Sequence, residues 1–135
     1  MADPNPALST QTIPMLVDTG ERLIPDSLPT TDAWSYDAHL YRYQYAERYV
    51  KANTQILDYG CGAGYGIHHL SQFTQARCCG VDKLESIAYA SVRYPAANLD
   101  YKAGDLTLAQ ARYGKFDLIV SFDVIEHVAE VDAYL

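Results

Sequence analysis

Apolar and polar positions keep two periods in this chain, and the two take turns. The stretches 55–59, 77–82, 98–103 and 116–122 are short and mostly apolar, with the length of buried strands. Between them, 65–73 and 84–94 carry apolar residues three and four positions apart, the period of a helix with one buried face. Ile67 and Leu70 face inward on the first of these helices. Leu84, Ile87, Ala88 and Ser91 share one side of the second, which Pro95 stops. A short helical stretch is expected near 108–112, and a further helix over 124–135. Strand and helix alternating at this spacing predict an α/β fold, a doubly wound parallel sheet with helices on its faces. Right-handed crossovers then give four strands in the order 3-2-1-4, the first half of such a sheet.

Upstream of the alternation, 35–51 has helical spacing. Ala38, Tyr41, Tyr45 and Tyr49 form one stripe, and Ser35 or Asp37 is placed to cap its start. The tyrosine rings of that stripe either cover the sheet or, with Arg42, roof a ligand site, since tyrosine joins an apolar ring to a polar tip. Residues 1–34 are read as an irregular N-terminal arm, rich in Pro, Thr and Asp and ordered by packing elsewhere. Residues 35–135 are read as a cofactor-binding half-domain.

The turn after the first strand is where chemistry enters. The run Ile56-Leu57-Asp58-Tyr59-Gly60-Cys61-Gly62-Ala63-Gly64-Tyr65-Gly66 sets an acid beside glycines at every second position. Glycine has no side chain to keep a ligand off the backbone. In parallel sheets ligands bind beyond the carboxyl ends of the strands, where strand order reverses. Asp58, Asp82 and Asp105 end or follow the first three strands, and Asp123 follows the fourth. Any one such acid is ordinarily a helix cap or a turn residue. Repeated along one sheet edge, they argue for a site.

Composition narrows the partners. The formal net charge is −7 and Lys and Arg are not clustered, which argues against a nucleic-acid partner, because that affinity rests on neutralising phosphates. No apolar stretch approaches the roughly 20 residues of a membrane-spanning helix, and the N-terminus does not read as a signal peptide, so no membrane partner is expected. Cys61, Cys78 and Cys79 make a poor disulfide framework, since adjacent strand residues point to opposite faces; the expected compartment is the cytoplasm.

Two cofactors compete for the glycine turn. A dinucleotide needs G-x-G-x-x-G, but the third glycine position holds Tyr65 or Ile67, depending on where the count starts. Asp58 would also repel a pyrophosphate, by up to a few kcal/mol in a partly buried site. S-adenosylmethionine carries the same adenosine with a sulfonium and an ammonium in place of the pyrophosphate. Beside it, Asp58 is favourable. Asp82 lies where an acid can accept both ribose hydroxyls of either ligand.

The segment ILDYGCGAGYG resembles the first motif of class I S-adenosylmethionine-dependent methyltransferases. GVDKLESIAYA is similar to their second strand with its ribose-binding acid, YKAGDLT to their third strand, and FDLIVSFDVIEHV to their fourth strand and the helix after it. The resemblance covers 55–131 and implies a Rossmann-like fold and S-adenosyl-L-methionine as cofactor. It implies that Asp58 meets the methionine ammonium through water, and that Gly60, Cys61 and Gly62 supply backbone contact. Asp82 would hold the ribose, with Lys83 beside the adenine. Asp105 and the Leu106 amide would meet the adenine amino group, and Phe122 and Asp123 would border the sulfonium. The upstream segment TGERLIPDSLPTTDAWSYDAHLYRYQYAERYV resembles the lead-in of bacterial methyltransferases that accompany glycan-assembling glycosyltransferases. The implied acceptor is a small molecule or a glycan.

Methyl transfer asks mainly for alignment of nucleophile, methyl and sulfur. A base is needed only where the acceptor must lose a proton, and His127 is the candidate. Asp123-Val-Ile-Glu126-His127 is similar to an acid-x-x-Glu-His arrangement that binds a divalent metal in some quinone-pathway O-methyltransferases. One carboxylate pair and one His make an incomplete site, so no metal is expected. A doubly wound sheet normally has about six strands. The expectation is therefore a chain truncated after its fourth strand. That strand, apolar in Leu118, Ile119 and Val120, is left as an edge that favours self-association. The alternative functions are a non-catalytic cofactor-binding module that pairs through this edge, and a nicotinamide-dependent oxidoreductase.

Overall fold

The computed structural model describes residues 12–18, 22–27, 33–104 and 113–134. Four parallel strands form one sheet in the order β3-β2-β1-β4. They are β1 (Ile56–Tyr59), β2 (Cys78–Asp82), β3 (Leu99–Ala103) and β4 (Leu118–Val120). Around them run α1 (Ala33–Ala46), α2 (Tyr65–Ser71), α3 (Leu84–Arg93) and the single turn α4 (Val131–Tyr134). Ile56 stands opposite Cys78 on one side and Leu118 on the other, and Cys78 opposite Leu99. The strand order is the one expected. The strands are shorter than the apolar runs, because pairing stops where the chain turns out of the sheet.

Strand side chains alternate between faces, and the two faces have separate cores. Ile56, Cys78, Leu99 and Val120 pack with Ile67 and Leu70 of α2, Ile87 of α3, and Tyr43 and Ala46 of α1. Leu57, Tyr59, Cys79 and Val81 pack on the other face with Tyr113 and Val124. Cys78 and Cys79 therefore sit in different cores, and all three cysteines are free thiols.

Three expectations are corrected. The tyrosine stripe expected over 35–51 does not face the sheet: Tyr41 and Tyr45 of α1 and Tyr49 of the 3-10 turn after it are 62%, 48% and 59% exposed, while Tyr43 and Ala46 are buried. The reason lies on α2. A Cβ at Gly66 would meet the Tyr43 ring at 2.0 Å, so glycine opens a slot that this one ring fills. On α3, Leu84 is 71% exposed and Ser91 is exposed, and the buried positions are Ser86, Ile87, Tyr89 and Ala90. Part of that face belongs to the arm rather than to the sheet. Leu16 and Ile24 are buried against Ala63 and Tyr89. Asp26 accepts from the Tyr89 hydroxyl and from Arg93 at 2.8 Å. Finally, 124–135 is not one helix. It is a 3-10 turn at Ile125–His127, then α4, because Val124 turns back into the core over the glycine turn. The helical stretch expected at 108–112 lies outside the described residues.

Candidate functional site

The carboxyl ends of β1, β2 and β4 open onto one cavity. After β1 it is lined by Gly60, Cys61, Gly62 and Ala63; after β2 by Asp82 and Lys83; after β4 by Phe122, Asp123, Val124, His127 and Val128. Helix α1 adds His39, Arg42 and Tyr43, α2 adds Tyr65, and the arm adds Arg22 and Leu23.

The glycine turn is wound with positive φ at Gly60, Gly62 and Gly64. A Cβ at Gly60 would stand 2.5 Å from Val124 Cγ2, so the turn and the β4 loop pack directly. Four of its backbone donors are already spent. The Gly60 and Cys61 N–H groups both donate to the Val81 carbonyl, at 2.9 and 3.0 Å, and the Gly64 N–H donates to the Cys61 carbonyl at 3.0 Å. The Gly62 N–H donates to Asp82 Oδ2 at 2.8 Å. A second backbone donor, Lys83 N–H, reaches Asp82 Oδ1 at 2.7 Å. The Asp82 carboxylate is thus fixed at both oxygens. Each oxygen has a further lone pair to offer a ligand. A pyrophosphate cradle needs N–H groups aimed at the ligand. Here those four donors face the protein.

Asp58 does not line the cavity. Ile56 and Asp58 share the face of β1 that looks toward the helices, so its carboxyl is fully buried. Asp58 Oδ2 accepts from the Tyr43 hydroxyl at 2.9 Å, and Oδ1 has no hydrogen-bond partner among the described residues. Burial pushes the Asp58 carboxyl up to about 7; the Tyr43 hydrogen bond works against that and the Asp82 charge adds to it. Burial also raises the Cys61 thiol well above its ordinary value, so Cys61 is a packing residue at neutral pH rather than a nucleophile.

At the β4 end Asp123 adopts φ +55°, the left-handed region that non-glycine residues avoid. Arg42 holds its carboxylate at 2.7 Å, and His39 Nε2 lies 3.8 Å away. His39 Nδ1 is 2.8 Å from the Ser35 carbonyl. A carbonyl oxygen only accepts, so Nδ1 carries the proton and Nε2 presents its lone pair in the neutral ring. Tyr43 stands edge-on to Phe122 with centroids 5.0 Å apart, and to Tyr65 at 6.1 Å.

Eight sequence-derived residues, Gly60, Cys61, Gly62, Asp82, Lys83, Phe122, Asp123 and His127, meet at this cavity, as does Arg42. Asp58 lies beneath it; Asp105 and Leu106 fall outside the described residues. Arg22, Leu23, His39, Tyr43 and Tyr65 were not read as site residues. Only Tyr65, adjacent to the glycines, had a local signal. Among the described residues, no group of three or more His, Cys, Asp or Glu side chains is placed to hold a metal ion. No described helix is long and apolar enough to cross a membrane.

Comparison with known proteins agrees with the architecture. The family described as "Methyltransferase domain" matches residues 57–135. A probable S-adenosylmethionine-dependent methyltransferase of Mycolicibacterium smegmatis is 33% identical over 129 residues, covering 95% of this chain and 46% of that protein. A ubiquinone biosynthesis O-methyltransferase of Bartonella bacilliformis is 29% identical over 87 residues, 62% of this chain and 35% of that one. The crystal structure of a TehB-like SAM-dependent methyltransferase from Corynebacterium glutamicum superposes with TM-score 0.58 and 28% identity, covering 77% of this chain and 60% of that chain. The chain therefore spans less than half the length of these two curated relatives. Motif order, strand order and these likenesses agree: the chain belongs to the class I S-adenosylmethionine-dependent methyltransferases.

Proposed function

We propose that this chain supplies the methyl-donor site for transfer from S-adenosylmethionine to a small-molecule or glycan acceptor. The observation that carries the reading is the glycine turn. Its N–H groups at Gly60, Cys61, Gly62 and Gly64 are consumed within the protein, while the Asp82 carboxylate faces the cavity and Asp58 lies beneath it. The Asp82 carboxylate suits a ligand that brings hydroxyls, and these four spent donors offer no cradle to a pyrophosphate.

On this reading Asp82 accepts from the ribose hydroxyls and Lys83 flanks the adenine. Contact from Gly60, Cys61 and Gly62 comes from carbonyl oxygens and Cα atoms, since their N–H groups are taken. Asp105 and Leu106 are proposed for the adenine amino group on the resemblance alone. Phe122, with Tyr43 and Tyr65 around it, offers ring faces to the sulfonium, and aromatic faces attract cations. The bound sulfonium supplies the methyl group and leaves as a neutral thioether, so the protein's task is alignment and exclusion of water. Where the acceptor must lose a proton, His127 is the base expected from the sequence, and His39, with its tautomer fixed, joins it.

The test is transfer of label from methyl-labelled S-adenosylmethionine into a small-molecule extract, followed by chromatography. The reading predicts a labelled product that Asp82→Ala abolishes. Retention of all label in the donor, with no binding by the protein, sinks it. A second reading, a binding module that pairs through β4, draws on Ile119, which is 48% exposed on a strand paired to β1. A concentration-independent monomer in sedimentation argues against it.

A further inference from the structure

The arm forms one wall of the cavity. Arg22 and Leu23 line it, as do Gly62 and Ala63 of the glycine turn and Asp82 and Lys83 after β2. A Cβ on Gly62 would stand 3.9 Å from the Arg22 Cβ, ordinary van der Waals contact, so the arm lies directly on the turn. The Arg22 side chain is only 9% exposed; it donates to the Ser86 hydroxyl at 2.7 Å and lies 3.7 Å from Glu85 Oε1. Both partners belong to the first turn of α3. Beyond Arg22, Ile24 is buried against Ala63 and Tyr89, together with Leu16. Asp26 then holds the far part of α3. Its Oδ2 accepts from the Tyr89 hydroxyl and from Arg93 Nε at 2.8 Å, and its Oδ1 from Arg93 Nη2 at 3.1 Å.

The two ends of this segment differ in kind. Arg22 and Leu23 touch the cavity; Asp26, Tyr89 and Arg93 do not line it. The Asp26 and Arg93 side chains are about two-fifths exposed, so water competes for their pairing and the contact is of modest strength. We propose that Arg22–Asp26 is a latched strap over the methyl-donor cavity: Arg22 and Leu23 wall in the ligand, and the Asp26–Arg93–Tyr89 cluster sets how fast it leaves. The inference goes beyond the proposed function and rests on it for the identity of the ligand. A ligand seated on Gly62 and Asp82 packs against the strap only while the strap is down. Ligand binding and latching therefore favour one another, and each stabilises the other by the same factor.

The experiment measures release of S-adenosylhomocysteine from the immobilised chain with a biosensor. Asp26→Ala removes the latch without touching the cavity, and release is expected to quicken about tenfold, the worth of one charge-assisted hydrogen bond, with association no slower. Tyr89→Phe keeps the buried ring, removes one of the three hydrogen bonds and should quicken release less. Asp100→Ala, which removes the Arg77 pair on β3 away from the cavity, should leave release unchanged. Trypsin gives a second readout, because Arg22 is the first basic residue of the chain and cleavage after it frees one defined peptide. Cleavage there should be faster in Asp26→Ala than in the wild type, and saturating S-adenosylhomocysteine should suppress it in the wild type. Equal release rates in the wild type, Asp26→Ala and Tyr89→Phe overturn the proposal, since an arm that is only structural leaves release unmoved. So does cleavage that the ligand leaves unchanged, or release that quickens as much in Asp100→Ala. Failure of the wild type to bind S-adenosylhomocysteine overturns the proposed function instead.

Discussion

Asp58→Asn should change how stability depends on pH, and in a direction unusual for a carboxylate. Most paired acids are held below their ordinary value, so that folding is favoured as pH rises. Asp58 is the reverse. Its folded value is about 7 against an ordinary 3.8, because a fully buried carboxyl with one hydrogen bond resists ionising. Between those values the unfolded chain has released the proton and the folded chain still holds it. Stability therefore falls as pH rises from about 4 to about 7, then levels off. One pKa unit is worth about 1.4 kcal/mol, so the full loss above pH 7 is about 4 kcal/mol. The Asn side chain cannot ionise and keeps an oxygen for the Tyr43 hydroxyl. Its amide N–H group adds a desolvation cost of about 1–3 kcal/mol that is the same at every pH. The slope, not the offset, is the signal. Urea unfolding of both proteins at pH 4.5, 6 and 8 measures it. The wild type should lose about 3 kcal/mol relative to the variant across that range. Parallel profiles would refute the reasoning, for they would mean that Asp58 ionises in the folded chain as it does in the unfolded one.

Other consequences are more local. Gly66→Ala forces a Cβ to within 2.0 Å of the Tyr43 ring and should cost about 3 kcal/mol in urea unfolding, the range of overpacking in a tight core. Loss of the ring in Gly66→Ala/Tyr43→Ala should recover part of it. Asp123→Gly relaxes the left-handed backbone at φ +55° but loses the Arg42 pair, which is half exposed; the net change in Tm should be small, each effect being about 1 kcal/mol or less. Nitrogen NMR should find neutral His39 protonated at Nδ1, and the opposite tautomer would contradict the Ser35 hydrogen bond.

The alternation of periods made the sheet legible, since each change of period marks a change of element and parallel crossovers leave few topologies. The same logic made the strand-end residues legible: Gly60, Cys61, Gly62, Asp82, Lys83, Phe122, Asp123 and His127 all line one cavity because they end or follow neighbouring strands. What stayed hidden depends on docking between distant segments. Tyrosines recur at 41, 43 and 45 on α1 and at 49 in the 3-10 turn after it, and spacing alone favoured the wrong stripe. The missing Cβ of Gly66 selects Tyr43, and that choice lives on another helix. Arg22 enters the site only because the arm is fastened to α3, by a hydrogen bond to Ser86 at 2.7 Å. Asp58 is different. The period of two that puts Ile56 in the helix-side core puts Asp58 there too, so its burial beneath the turn was readable from the strand pattern.

The most direct measurement is a calorimetric titration of the chain with S-adenosylhomocysteine at pH 7.5, beside reduced nicotinamide dinucleotide under the same conditions. The account predicts one saturable site per chain for S-adenosylhomocysteine, at least tenfold weaker in Asp82→Ala, and no saturable site for the dinucleotide. Saturable dinucleotide binding with none for S-adenosylhomocysteine would contradict it.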